Sequence, residues 1–427
     1  MTTVRVRHGA AALAAAAVLL SGGSPAAHAA PSPAPSPTTL PAGLYGTKDP
    51  TYDGVWRQSL AFMAQQVAGV EPHRKAVDWL LDQQCDSGGF ASYRPDPAKT
   101  CDPKTLLDTN ATAVAVQALS GVDKPDAAEP GTDRVSKAMG AGAAWLKGVQ
   151  NEDGGWGYNP GSPSDANSTS IVVSALAATG HRPGDITSKK GRTPYDALLR
   201  LAIPCDAKAG AGAFAYQPDA KTGALVANGD ATAAAVLAGL GKDLQTRGAE
   251  PEQKPTCVTP AEPTAERAAR NGAAHLATAL ARSGHLDLPP MPGAAATAPQ
   301  PDFGNTADAV VALGAAGHGD KAAGAVAWLK KNSAAWAQES GPAAWAQLIL
   351  AAHTVGADVR DFGGVDLVQR LNATGPAPQS VPLEEKAEQQ EAEEEPGFDV
   401  WLVVAIFLVA GMGIGFLLSG RKRNRQL

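Results

Sequence analysis

The chain has 427 residues, 44% of them hydrophobic, which is ample material for a buried core. Its 36 basic and 42 acidic residues leave a formal net charge of −6. That balance carries no basic footprint, so no nucleic-acid partner is expected.

Arg5 and Arg7 precede an apolar run over 10–20, and small residues follow around Ala27-His28-Ala29. This order predicts a signal peptide over 1–30, because the run is too short to cross a bilayer. Residues 31–43 are Pro-rich and read as a linker.

From 44 to 374 the periodic segments are dominated by Ala and Leu, with almost no alternating strand signal. Two kinds of helix alternate there. One kind mostly starts near Asp or Asn and ends at Gly: 51–69, 108–121, 165–180, 228–241, 305–317 and 342–356. Four of the starts resemble one another: Asp108-Thr109-Asn110-Ala111-Thr112, Asp165-Ala166-Asn167-Ser168-Thr169, Asn228-Gly229-Asp230-Ala231-Thr232 and Asn305-Thr306-Ala307-Asp308. Short polar side chains accept from the unpaired N–H groups of a first turn, and Gly suits the left-handed C-cap. The interiors, such as Ala113-Val114-Ala115-Val116, are apolar on nearly every side, as in a buried helix. The second kind is amphipathic: 73–84, 134–150, 195–203, 266–282, 321–331 and 365–371. Six buried helices alternating with six half-exposed ones predict an all-α fold, an (α/α)6 toroid of six helical hairpins over 44–374.

Two segments repeat one design, 79–90 and 145–156. In each, a helix ends at or just after Gln, and a turn with two glycines delivers an aromatic, Phe90 or Trp156. The four cysteines, Cys85, Cys101, Cys205 and Cys257, suggest two disulfides outside the cytoplasm. Four cysteines allow three pairings; Cys85 with Cys101 and Cys205 with Cys257 is the local one. No metal is expected, since no Cys-x-x-Cys or His-x-x-x-His spacing occurs.

Residues 375–398 combine prolines with an acidic run and predict an extended stalk. Residues 400–419 carry no charge, long enough as a helix, at about 30 Å, to cross the hydrocarbon core. A transmembrane helix is assigned to 399–419. Arg421, Lys422, Arg423 and Arg425 make 420–427 a basic cytoplasmic tail, so the toroid is expected outside the membrane on a single-pass type I anchor.

The Gly-rich turns are expected to bring Tyr93, Trp156, Tyr158, Phe214 and Tyr216 near the polar helix starts Asp108, Asn110, Asn167 and Asp230. An apolar concavity with a few polar groups is the usual form of a ligand pocket, so these residues are the candidate ligand-binding set.

At this point the residues carry a family likeness. Gln150-Asn151-Glu152-Asp153-Gly154-Gly155-Trp156 matches the Gln-x-x-x-Gly-x-Trp repeat of squalene and terpene cyclases; 84–90 repeats it with Phe, and Gly212-Ala213-Phe214 is a degenerate copy. The chain resembles the prenyltransferase and squalene-cyclase repeat superfamily, whose fold is the α/α toroid. The resemblance implies that Gln84, Phe90, Gln150 and Trp156 brace adjacent hairpins. Secretion and the helix starts Asp108-Thr109 and Asn167-Ser168-Thr169 are similar to the α domain of transcobalamin and intrinsic-factor type binders. That likeness implies a corrinoid or isoprenoid-like ligand, with no other cofactor. Those binders carry a second, β-rich domain and this chain does not. The departure implies a separate β-rich partner, or a transporter where the ligand feeds an importer.

Several chemistries of the superfamily are missing. No two aspartates are adjacent, so neither an Asp-x-Asp-Asp acid nor an Asp-Asp-x-x-Asp magnesium site can be written. A binding protein is the expectation. The alternative is an (α/α)6 enzyme on glycans or prenyl lipids, with Asp108, Asp165, Asp230 and Asp308 gathered at one end as acid and base. Helix capping explains each of the four without catalysis, and a helix N-terminus lowers a carboxylate pKa. A structural or adhesive surface module is the third reading.

Overall fold

The computed structural model describes residues 40–122, 132–252, 254–259, 261–288 and 299–379. The expected signal peptide, most of the linker and stalk, the membrane anchor and the basic tail lie outside them. Among the described residues no helix is long and apolar enough to cross a membrane.

The chain is all-α in character, with twelve α-helices among the described residues. Six inner helices are α1 (Gly54–Val67), α3 (Thr109–Ser120), α5 (Ala166–Ala178), α7 (Gly229–Gly239), α9 (Phe303–Ala315) and α11 (Pro342–Thr354). The outer ones are α2 (Arg74–Asp82), α4 (Thr132–Gly148), α6 (Pro194–Leu201), α8 (Ala265–Ser283), α10 (Ala323–Ser340) and α12 (Leu367–Asn372). α1 packs on α3, α3 on α5, α5 on α7, α7 on α9, α9 on α11, and α11 returns to α1. Each outer helix packs on the inner helix before it. Small residues permit this: Ala113, Ala115, Ala231, Ala235, Ala307 and Ala309 are all buried. Two short antiparallel ribbons interrupt the helices, β1 (Ala215–Pro218) with β2 (Leu225–Ala227) and β3 (Leu286–Asp287) with β4 (Pro301–Asp302). The sequence shows no alternation there because strands this short have no period to display.

One local design recurs at four inner-helix starts. Asp108, Asp165, Asn228 and Asp302 each cap a helix by accepting from the backbone three residues on, at 2.7–3.0 Å. Four residues after each cap stands a Thr that donates back to the cap carbonyl in α3, α7 and α9. The same hydroxyl accepts the N–H of the residue arriving from the preceding turn. Phe90 donates to Thr112 at 2.8 Å, Trp156 to Thr169 at 3.0 Å, Phe214 to Thr232 at 3.0 Å and Leu286 to Thr306 at 2.9 Å. The three aromatics so placed are fully buried. The turns before Phe90 and Trp156 need Gly88 and Gly154, both at φ +94°, where a Cβ would strike the carbonyl of Ala141 or Thr193 in the next hairpin. Gln84 Nε2 donates to Gly88 O at 2.9 Å and across to Ala138 O of α4 at 2.8 Å; Gln150 Nε2 donates to Gly154 O at 2.7 Å.

Several helix bounds differ from the sequence reading, and two of the differences have a clear local cause. α9 starts at Phe303, not Asn305, because Asp302 is the cap and Asn305 donates to it through both its backbone and side-chain nitrogens. α10 runs on to Ser340, where Gly341 at φ +91° stops it. The ends of the body meet: Gly46 N–H donates to Thr374 O, and Gln65 Nε2 donates to both Tyr45 Oη and Asn372 Oδ1. Residues 375–379 stay against this seam through Tyr45 Oη to Pro376 O and Gln379 Nε2 to Pro72 O.

Cys85 is bonded to Cys101 and Cys205 to Cys257, closing separations of 16 and 52 residues. In the chain-entropy picture these contribute about 3 and about 4 kcal/mol, so Cys205→Ala with Cys257→Ala should lower the urea midpoint more than Cys85→Ala with Cys101→Ala. Thr169→Val should cost about 1–3 kcal/mol in the same measurement, since it strands the buried N–H of Trp156.

Candidate functional site

The inner helices enclose a cavity of about 180 Å³. Its apolar wall comes from Trp56, Leu60, Ile171, Leu237, Val311 and Leu350, with Leu244 from the loop after α7. Its polar groups are Asn110, Gln117, Asn167, Ser170, Ser174, Asp230, Asp308 and Gln347. The repeat explains how they converge. Asn110, Asn167 and Asp230 each stand two residues after a cap, and Asp308 and Gln347 six residues after Asp302 and Gly341. Such positions lie on one stripe of a helix and face the ring axis together.

Segment 242–252 runs across the C-terminal ends of the ring. Ser174 Oγ donates to Lys242 O at 2.8 Å, Gln245 Nε2 to Gln66 Oε1 at 2.8 Å, Thr354 Oγ1 to Thr246 O at 3.0 Å, and Ala249 N–H to Gly314 O at 2.9 Å. The N-terminal end carries a rim of half-exposed tyrosines: Tyr52, Tyr93, Tyr158 and Tyr216. Tyr158 stands beside the Asp108 carboxylate and Tyr216 beside that of Asp165. Burial is the main cause that raises both phenols, Tyr216 to about 12. Asp53 stands on this rim at φ 59°, a left-handed conformation that Asp tolerates better than most residues.

The sequence-derived candidates therefore separate. Asn110, Asn167, Asp230 and Asp308 meet at the cavity. Tyr93, Tyr158 and Tyr216 stand on the rim, and Asp108 and Asp165 cap helices beneath it. Trp156 and Phe214 do not reach the cavity; both are fully buried, with their backbones locked to Thr169 and Thr232. Capping accounts for Asp108 and Asp165 but not for Asp230 or Asp308, because Asn228 and Asp302 hold those cap positions. Trp56, Gln117, Ser170 and Gln347 were not singled out from the sequence. Their signal was present as polar or bulky residues inside helices otherwise apolar all round.

The expected lowering of these carboxyl pKa values is reversed. Burial raises Asp108, lifts Asp165 to about 6 and lifts Asp230 to about 6. Asp308 rises to about 8, through burial first and then the nearby Asp230 charge, against the amide of Gln347 at 3.3 Å. Loss of water costs a buried carboxylate more than one helix terminus returns. Asp230 accepts a hydrogen bond from Asn167 Nδ2. Among the described residues no Lys, Arg or His lines the cavity. Among the described residues no cluster of His, Cys, Asp and Glu is fit to hold a metal ion.

Four buried oxygens at the cavity have no protein partner: Asn110 Oδ1, Gln117 Oε1, Asn167 Oδ1 and Ser170 Oγ.

These carboxyls hold protons in the fold at pH values where unfolded carboxyls, near 4, have lost them. The native state thus binds more protons, and stability falls as pH rises through this window. Urea midpoints should drop from about pH 5 to about pH 8.5, and Asp308→Asn should flatten the upper part of that decline.

No family model matches the chain. A stretch of 122 residues, 26% of the chain, is 35% identical to the squalene–hopene cyclase of Alicyclobacillus acidocaldarius and covers 18% of it. A stretch of 79 residues, 18% of the chain, is 46% identical to the drimenyl diphosphate synthase of Streptomyces showdoensis and covers 14% of it. The chain thus matches less than a fifth of the length of either relative. A crystal structure of a protein from Actinoplanes aligns with 69% of this chain and 100% of its own, at 18% identity and a TM-score of 0.32. What the chain shares with terpene cyclase and synthase sequences is a partial, segment-long similarity.

Proposed function

We propose that the body of this chain is an (α/α)6 toroid that binds a small molecule in its central cavity. The cycle of contacts from α1 round to α11 supports the toroid. The observation that carries the binding role is the convergence of four unpartnered buried oxygens on one largely apolar cavity. A buried polar group left unpaired costs about 1–3 kcal/mol, and a ligand's donors relieve that cost. A cavity of about 150 Å³ holds benzene. A volume of about 180 Å³ therefore takes a ligand, or the inserted end of one, near a single ring in size. An isoprenoid can insert one such unit. A corrinoid would meet the tyrosine rim instead.

The body acts outside the cytoplasm, released from a signal peptide at 1–30 and held by an anchor at 399–419. Two disulfides support this placement, since they persist in oxidising compartments.

A second reading is acid catalysis. Asp308 near 8 and Asp230 near 6, inside a mostly apolar cavity, are carboxyls able to hold and deliver a proton. The partial likeness to a cyclase and a synthase favours this reading. Asp108 and Asp165 are not the pair to test, because both cap helices.

Native mass spectrometry after incubation with polyprenyl lipids, corrinoids and glycan fragments distinguishes the readings. The wild-type chain should retain an adduct, and Ala234→Trp, which fills the cavity, should weaken it by about tenfold or more. Equal retention by both would remove the cavity as the site. A product mass that disappears in Asp308→Asn would make the chain an enzyme.

A further inference from the structure

Several polar side chains of the cavity hold an oxygen without a protein partner. Gln117 and Ser170 are fully buried, and their Oε1 and Oγ are unpartnered. The Gln117 amide is oriented by Nε2 donating to Ile171 O at 3.3 Å, and the Asn167 amide by Nδ2 donating to Asp230. Each of these cavity-lining side chains, like Asn110, thus holds an oxygen without a protein partner. Asp230 and Asp308 add two carboxyl groups to the same lining, and the Asp230 charge raises the proton affinity of Asp308. Among the described residues no cationic side chain balances them in the wall.

Such a set discriminates by charge and by donor count. A carboxylate or phosphate ligand would face the Asp230–Asp308 pair and leave the orphaned amide oxygens of Asn110, Gln117 and Asn167 unpaired, with the Ser170 hydroxyl free to donate to it. A hydroxyl brings a single donor. A primary ammonium group brings three donors and the missing positive charge. Trp56 on the same wall is a favourable neighbour for a cation, and the aliphatic residues suit a compact apolar body.

We infer that the cavity selects a small organic cation, a primary ammonium group carried on a compact apolar body. The inference deepens the binding role proposed above and rests on it. The ammonium group sits between Asp230 and Asp308 and donates to the orphaned oxygens, while the body lies against Leu60, Val311 and Leu350.

The test is calorimetric titration of the full chain with cyclohexylamine hydrochloride and with cyclohexanol, two probes of nearly one shape. The amine should bind about tenfold or more tightly than the alcohol, as charge-assisted hydrogen bonds require. Asp308→Asn and Asp230→Asn should each reduce that preference by about tenfold. Thermal unfolding of each variant checks that it still folds; should one fail, the wild-type preference still decides. Equal binding of both probes, or preference for the alcohol, overturns the cation and leaves the cavity as a binding site. Binding of neither probe overturns the cation at this site, while an adduct in the native mass experiment would keep the binding role. Displacement of the amine by magnesium or calcium chloride, beyond the effect of sodium chloride at equal ionic strength, would assign the oxygens to a metal ion and overturn the organic cation.

Discussion

A threonine hydroxyl placed four residues after a helix cap is the interaction on which this architecture turns. It accepts the N–H of the residue delivered by the preceding turn and, in three of the four copies, donates to the cap carbonyl. One atom thereby ties the start of an inner helix to the end of the turn before it. The aromatic that follows each glycine pair is carried inward by this tie, and Phe90, Trp156 and Phe214 are fully buried as a result. Because the same offsets recur, the starts of α3, α5, α7 and α9 are held alike around the ring. Residues two or six positions after the caps, Asn110, Asn167, Ile171, Asp230, Ala234 and Asp308, then line one cavity. The cavity is a consequence of this register, and its chemistry is set by what occupies those few positions.

Four of those positions hold a carboxyl or amide group, Asn110, Asn167, Asp230 and Asp308, where an ordinary core would hold Ala or Val. Burial dominates their electrostatics. Asp230 and Asp308 are driven toward their protonated forms, although one lies in a first helical turn and the other in a second. The helix dipole contributes at most about 1 kcal/mol at such a position, and desolvation of a carboxylate exceeds it several-fold. Keeping these groups buried costs stability, a cost that the proposed binding role would account for. Segment 242–252 covers the C-terminal ends of the inner helices, while the tyrosine rim at the other end places phenols beside the cap carboxylates.

Much of this was legible in the sequence, for local reasons. Inner helices end at Gly and start at Asp or Asn because both signals act within a few residues, and α3, α5 and α7 fall within two residues of the expected bounds. The two Gly-Gly-aromatic turns were visible because they require Gly88 and Gly154 at positive φ. The site was less legible. Asn305 and Asp308 read as a fourth helix start, but the cap is Asp302, and a slip of three residues moves Asp308 from a terminus to the ring axis. The slip made Asp308 look like a cap, and Asp230 was grouped with the caps because it stands two residues after Asn228. Gln117 and Ser170 passed unnoticed because a polar residue in an apolar helix acquires meaning only once the helix's neighbours are known. The upward pKa shifts depend on burial by helices distant in sequence, which no local pattern encodes.

The account rests on the cavity at the centre of the ring being the place where a ligand sits. A crystal structure of the chain with the tightest-binding molecule from the binding measurements tests this most directly. The account predicts density between Trp56, Asp308 and Gln347, within hydrogen-bond distance of Gln117 Oε1 and Ser170 Oγ. Density confined to the tyrosine rim, with the cavity empty, would contradict it.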